Sequence, residues 1–307
     1  MAYPRAIRNL SIALPVVAVA LTFAACGREV VGPPAHGTSR LLLTDDPFPY
    51  DRVARVDLYI VSVSGSVSAD TSSTGSAFVS LAEPHRRINV LALQNGTTEE
   101  LGTAALAPGA ITAMRMTIDT DSSSITLKDG RVLTGKSTPG IAWQSSAGRP
   151  VLNALVPEQI QVADTGAVAV AVYDVGQAFI SDGGGGFIFS PVFRAADATR
   201  TGSISGTVHA HALGGAPVAG ASLQLYLGPA GAAENTRSRI ATATTNASGE
   251  FKFAFVPRSS LWTGAMSGAV YMVAIDGPTG GGLTRQLIDS ITVSPRQGVS
   301  LGTVVLP

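Results

Sequence analysis

Residues 241–257 read ATATTNASGEFKFAFVP, and this stretch decides the architecture. Small and polar residues lead into Asn246, Ala247, Ser248 and Gly249. That quartet reads as a turn, because Asn and Ser side chains bond back to nearby backbone and Gly accepts positive φ. Phe251, Phe253 and Phe255 follow at every second position. In a strand that spacing sends all three toward one side, so all three are expected in one core. A period of two around a turn specifies a β-hairpin rather than a helix.

The same grammar runs outward in both directions. GSISGTVHAH at 202–211 is an alternating strand punctuated by glycine, and PVAGASLQLYL at 217–227 is a second strand after a Pro-bearing turn. Residues 270–275, 288–293 and 299–306 complete the C-terminal set. Toward the N-terminus, strand patterns fall at 40–44, 53–63, 88–93, 111–118, 148–162, 168–175 and 187–193. Residues 125–127 and 131–133 flank Asp129-Gly130, a pair suited to a tight hairpin. Asn95-Gly96 is a turn, 64–76 a Ser/Thr/Gly-rich loop tip, and 98–106 a short helical turn. Short strands at close spacing with turn residues between them read as β-sandwiches. The fold class expected is therefore all-β, with two sandwich domains at 40–196 and 201–307 joined by a polar segment. A length of 307 residues suits two domains, each with its own core.

Composition narrows the function classes. Charged residues make up 14% of the chain against 45% hydrophobic, which excludes a charge-rich disordered protein. The 21 basic residues balance the 21 acidic ones, and no Lys/Arg cluster lies outside the first residues, so a nucleic-acid partner is not expected.

The chain opens with Arg5 and Arg8, then the apolar run LSIALPVVAVALTFAAC at 10–26. The run contains Pro15 and is shorter than the roughly 20 apolar residues that cross a bilayer as a helix. A basic start, a short apolar middle and small residues at its end read as a secretory signal over 1–25. Cys26 is the one cysteine in the chain. An unpaired cysteine in an exported protein calls for a reason. Phe23-Ala24-Ala25-Cys26-Gly27 resembles a bacterial lipobox, with Phe23 where Leu is usual. The resemblance implies cleavage before Cys26 and acylation of its thiol and new amine. The rival is cleavage after Ala18-Val19-Ala20, which would leave a free thiol. Residues 26–39 then form the lipidated cysteine and a Gly/Pro tether, about 45 Å long when extended. Gly27 rather than aspartate after Cys26 points to the outer membrane as the location, with the membrane held through lipid.

Two further resemblances rest on longer stretches. LLLTDDPFPYDRVARVDLYIVSV (41–63), INVLALQNGTTEELGTAALAPGAITAMRMTI (88–118) and YDVGQAFISDGGGGFIFSPVFRA (173–195) resemble domain of unknown function 4382. That family comprises bacterial, often lipid-anchored, extracytoplasmic domains, and it implies no activity. In the second half, Gly202-x-Ile204-x-Gly206-x-Val208, Pro217-Val218-x-Gly220-Ala221 and Thr245-Asn246-x-x-Gly249-x-Phe251 are similar to the carboxypeptidase regulatory-like domain. That resemblance implies a prealbumin-like sandwich used as an accessory module, with no catalytic residues. Residues 258–268 are longer than the usual turn of that domain.

Several residues look chemical. Gly298-Val299-Ser300-Leu301-Gly302 fits the esterase pattern, but five residues remain after it and none is His or Asp, so it reads as a terminal strand. His209 and His211 share a face if both lie on a strand, yet zinc needs three or four ligands. Asp119-Thr120-Asp121-Ser122-Ser123 lacks the glycine and glutamate of a calcium loop and reads as a polar hairpin end. Asp45-Asp46 before Pro47 reads as turn chemistry, and 182–186 (DGGGG) as a flexible hairpin tip. Trp143 and Trp262 fall in loop-like stretches, and Trp262 is the candidate ligand contact. No metal, cofactor or catalytic residue is expected. The function expected is a membrane-anchored extracytoplasmic lipoprotein with a non-catalytic binding or structural role. A carbohydrate-binding module at the envelope is the alternative and an envelope enzyme the third reading. A glycan or an envelope protein is the partner class that these readings imply.

Overall fold

The computed structural model describes residues 37–45, 52–66, 78–143, 148–174, 178–191, 193–261 and 268–307. They lie in one unit, Pro34–Pro307. The chain begins with β1 (Gly37–Asp45), β2 (Val53–Ser66), β3 (Phe78–Ala82) and β4 (Arg86–Asn89). A 3-10 segment, Val90–Gly96, separates these from β5 (Glu99–Leu106), β6 (Gly109–Ile111), β7 (Ala113–Leu127) and β8 (Val132–Leu133). Next come β9 (Ile141–Trp143), β10 (Val151–Asn153), β11 (Ile160–Val162) and β12 (Val168–Tyr173). β13 (Phe179–Ser181), β14 (Phe187–Phe189) and β15 (Phe193–Asp197) end the first half. The second half holds β16 (Thr201–Ala210), β17 (Ser222–Gly228), β18 (Ser238–Thr244) and β19 (Glu250–Pro257). It ends with β20 (Val270–Asp276), β21 (Gln286–Ile291) and β22 (Gly298–Leu306). The architecture is all-β, as the alternation implies.

In the first half, a sheet ordered β15-β12-β1-β5 faces one ordered β10-β7-β2-β3, with β4 also on β2 and β8 also on β7. The long β2–β7 ladder runs from Val53↔Leu127 to Ser66↔Ala113. Val56, Leu58, Ile60 and Val63 of β2 meet Met114, Met116, Ile118 and Ile125 of β7 in one core with Leu41 and Leu43 of β1. Alternate residues of β7 are buried from Met114 to Thr120 and again from Ser123 to Leu127, the signature of a sheet with one dry face. β1 pairs antiparallel with β5 but parallel with β12.

In the second half, sheet β19-β16-β22 packs on sheet β18-β17-β20-β21, so the hairpin expected over 241–257 does not form: β18 and β19 flank the Asn246–Gly249 turn but take their partners, β17 and β16, in opposite sheets. Ile204, Leu223, Leu225, Phe253, Val273 and Ile275 fill the space between them. The two cores share no strand. Phe251 and Phe253 are buried as the alternation demands, but Phe255 is not. Gly202 pairs with Val256 and Ile204 with Phe253, so two steps on β16 span three on β19. The extra residue is a β-bulge, which inverts the facing of the residues beyond it. Phe255 takes φ of 50° and turns half-exposed, while Val256 joins the core and Ala254 is buried against Gly96 of the first half.

Other expectations shift for equally local reasons. Residues 98–106 form a strand, not a helical turn, because β1 presents its edge to Gly37↔Leu106 through Leu43↔Glu99. The strand expected over 88–93 ends at Asn89 and winds into the 3-10 segment, closed by Asn95 at φ 60° and Gly96 at φ 84°. Residues 148–162 split into β10 and β11 around Pro157, which has no N–H for a ladder. Residues 187–193 likewise split into β14 and β15, which belong to different sheets.

The second half also buries a charge. The Arg237 side chain is 0% exposed, and its Nη2 donates to Asp289 Oδ2 at 2.7 Å. Burial pushes the Asp289 carboxyl up, but the N–H groups of Gly231 and Ser290 and the Arg237 guanidinium outweigh it and hold its pKa below the usual carboxylate range.

Two measurements check these assignments. Phe253→Ala lowers unfolding free energy by about 3–5 kcal/mol in a denaturant titration, whereas Phe255→Ala costs less than half of that. Because the Asp289 pKa is depressed on folding, its contribution is complete above the unfolded value of about 3.9 and is lost as pH falls through the lower folded value. Acid unfolding curves therefore gain a pH-dependent component below about pH 4 that Asp289→Asn removes.

Candidate functional site

Charged and polar side chains cross between the two halves. Glu158, between β10 and β11, accepts from Arg258 Nε at 3.1 Å and Nη2 at 2.6 Å. Arg200 Nη2 reaches the same carboxylate at 2.5 Å. The Glu158 side chain is 16% exposed, so the triad is largely shielded from water. Arg194 of β15 is buried and donates to the carbonyls of Ile240 (3.4 Å) and Ala254 (3.2 Å) across the junction. Thr242 Oγ1 donates to Asp174 Oδ1 at 3.3 Å.

Recesses open along this seam. A groove of about 620 Å³ is lined by Arg40, Gln161, Asp197, Thr199, Arg200 and Arg296. A recess of about 210 Å³ beside it shares Arg296 and adds Ser203, Lys252, Phe255 and Gln297. A third, of about 410 Å³, shares Lys252 and adds Asn95, Ser205, Thr207, Asn246 and Glu250. Apolar walls with a few placed polar groups at a domain junction are where ligand sites commonly form.

The residues singled out in the sequence are scattered. Cys26, Trp262 and Asp46 lie outside the described residues. Trp143 is on β9, not in a loop, and packs against Phe189 (centroids 4.6 Å apart) and Phe179 (6.0 Å), so it serves the core. His209 and His211 do not share a face. His209 is on β16, but His211 lies beyond its end at φ 62°, exposed, with its N–H on the Leu306 carbonyl. Among the described residues, no group of three His, Cys, Asp or Glu is placed to hold a metal ion.

Asp119 and its neighbours sit inside β7 rather than at a hairpin end. Tyr59 pairs with Asp119 and Asp57 with Ser124, so two steps on β2 span five on β7. Asp119 Oδ1 accepts the Ser122 N–H, and Ser123 Oγ accepts the Tyr59 N–H. Burial raises the Asp119 pKa, but the Ser122 N–H and Arg149 lower it further, leaving it anionic as a bulge clamp. Asp182 is the cap of the β13–β14 hairpin tip, its Oδ1 accepting from Gly184 N (2.8 Å) and Gly186 N (2.9 Å). Ser300 lies on exposed β22 opposite Ser205 and is no nucleophile elbow. Asp45 is buried at the end of β1.

Arg296, Lys252 and Phe255 escaped sequence reading. Their convergence depends on strand pairing and on a bulge, neither of which leaves a local motif. Replacing Glu158 by Gln leaves Arg200 and Arg258 without their shared anion. The expected result is a loss of roughly 1–3 kcal/mol and, in calorimetry, two resolved unfolding transitions in place of one.

No curated protein matches the chain. Among solved structures, the Bacillus anthracis TIE protein is similar at 12% identity and a TM-score of 0.26, over 89% of this chain and 34% of that one. The chain thus spans about a third of that protein. The shaft pilin SpaA of Lactobacillus rhamnosus GG is similar at 11% identity and a TM-score of 0.24, over 88% of this chain and 97% of that one. The major pilin of Streptococcus pyogenes is similar at 10% identity and a TM-score of 0.19, over 88% and 99%. Likenesses this faint carry no argument about role. Residues 36–191, just over half of the chain, match the family described as domain of unknown function DUF4382, and the chain belongs to that family.

Proposed function

We propose that this is a lipid-anchored extracytoplasmic protein, held at the outer membrane by acyl chains on Cys26, with a non-catalytic binding or structural role. One observation carries it: the single cysteine of the chain stands directly after a basic start and a short apolar run that ends in small residues. More than one acyl chain on that residue gives stable anchoring, since a single chain holds only marginally. Among the described residues, no helix is long and apolar enough to cross a membrane. The rest of the chain is nearly neutral, so lipid rather than a basic patch supplies the hold.

The second half reads as a carboxypeptidase regulatory-like, prealbumin-like module, with domains at 40–196 and 201–307. Its motif positions have physical roles that support this. Asn246 Oδ1 accepts from the N–H groups of Ser248 and Glu250. Gly249 sits at φ 73°, where a Cβ would lie 2.5 Å from the Val208 carbonyl oxygen. The partner is a glycan or an envelope protein. The glycan reading is favoured by the hydroxyl- and amide-lined recesses at the junction.

The test is fractionation with mass analysis. The wild-type chain is expected in the membrane pellet, lacking residues 1–25 and carrying added acyl mass on Cys26. Cys26→Ser is expected to move to the soluble fraction. A serine variant that still sediments with membranes, or an unmodified cysteine, refutes the proposal.

A further inference from the structure

We infer that the recess beside Phe255 takes a carboxylate-bearing sugar ring, one unit of an acidic glycan lying along the junction between the two halves. This rests on the glycan-binding reading above and names its ligand class.

The first observation is strain. Phe255 at φ 50° and Arg296 at φ 57° line the same recess of about 210 Å³. Neither residue type favours that region; glycine would adopt it freely. Strained backbone that persists in a fold clusters at functional sites. The bulge in β19 displays a phenyl ring that simple alternation would have buried with Phe251 and Phe253.

The second observation is charge. Lys252 and Arg296 both line the recess and both are exposed. Among the described residues, neither makes an ion pair or a side-chain hydrogen bond, and no carboxylate lines the recess. Neighbouring arginines are committed: Arg40 to Glu100, Arg200 and Arg258 to Glu158. Two free cations beside an aromatic face fit an anion borne on an apolar ring face. The C–H face of a sugar ring stacks on Phe255, and its carboxylate takes charge-assisted bonds from Arg296 and Lys252.

The third observation is size. The recess is smaller than the roughly 300–1,000 Å³ of drug-sized sites, so it holds a single ring. Arg296 also lines the 620 Å³ groove, and Lys252 also lines the 410 Å³ recess together with Glu250. Ser205, Thr207 and Asn246 there offer hydrogen bonds to sugar hydroxyls.

The experiment is calorimetric titration of the full-length detergent-extracted protein with a hexuronic acid tetramer. The comparison is the same tetramer with its carboxylates reduced to neutral alcohols. The acidic tetramer is expected to bind at least tenfold more tightly, with affinity falling as salt rises. Arg296→Gln and Lys252→Gln each weaken it roughly tenfold. Phe255→Asn removes the ring but keeps a residue that tolerates positive φ. It is expected to abolish binding while leaving the unfolding midpoint within a few degrees of wild type. Equal affinity for the two tetramers, full competition by inorganic sulfate, or undiminished binding by Phe255→Asn overturns the inference. Binding of neither tetramer also overturns it, and leaves the Cys26 reading to stand or fall on fractionation alone.

Discussion

The carboxylate of Glu158 organises the space between the two halves. It takes three hydrogen-bonding contacts from Arg200 and Arg258, and so fixes the start of β16 and the end of β19 against the segment between β10 and β11. Val170, Val172, Ala196, Met272 and Ala274 are buried yet belong to neither core, so apolar contact is present outside the two sandwich interiors. A shielded multi-centre ion pair gives direction where grease would not. Its partners are positioned by geometry, and an ion pair left incomplete in such a setting is costly. Beside it, Arg296 and Lys252 line one recess that has no carboxylate among its described lining residues.

Bulges are the second constraint. An antiparallel ladder of the length of β2–β7 twists steadily, and uninterrupted pairing would carry its ends away from the opposing sheet. The insertion at 119–124 interrupts the regular pairing and bends the strand, and its freed backbone groups are taken up by Asp119 and Ser123. The bulge in β19 has a different character. It holds a phenylalanine at positive φ, and the buried Arg194 guanidinium takes up the neighbouring Ala254 carbonyl. One bulge is a structural repair with its hydrogen bonds closed. The other places an aromatic ring at a surface recess.

Period two made the strands legible, and it failed where partners lie far away in sequence. Met114, Met116 and Ile118 were readable as one face, and all are buried. Asp129-Gly130 was readable as a hairpin, with Gly130 at φ 87°. Residues 99–106 carry no strong alternation, and only the edge of β1 makes them a strand. Trp143 looked like loop because β9 is three residues long and depends on a parallel partner, β14, more than forty residues on. Phe255 obeyed the alternation and departed from it because one inserted residue inverts facing. No residue type announces such an insertion. The candidate site is built from those non-local events, so its residues were invisible, while Cys26 was visible because processing signals are read as linear sequence.

The strain at the recess also has to be compatible with folding. Holding two non-glycine residues at positive φ costs on the order of 1–3 kcal/mol each. Fully burying a side chain such as Phe253 contributes about 1.5–3 kcal/mol. Leu223, Leu225, Tyr271, Val273 and Ile275 are each buried to the same degree in the second core. That core can sustain two strained positions at its rim, provided that they lie outside it. Both do: Arg296 is in the turn between β21 and β22, and Phe255 faces away from the packed side of β19. Strain placed inside the core would displace the side chains that offset it. Placed at the rim, it leaves the sandwich intact and fixes the ring and the cation on the same recess. A glycine at 255 would relax the backbone and remove the ring, which is why stability alone does not account for the phenylalanine found there.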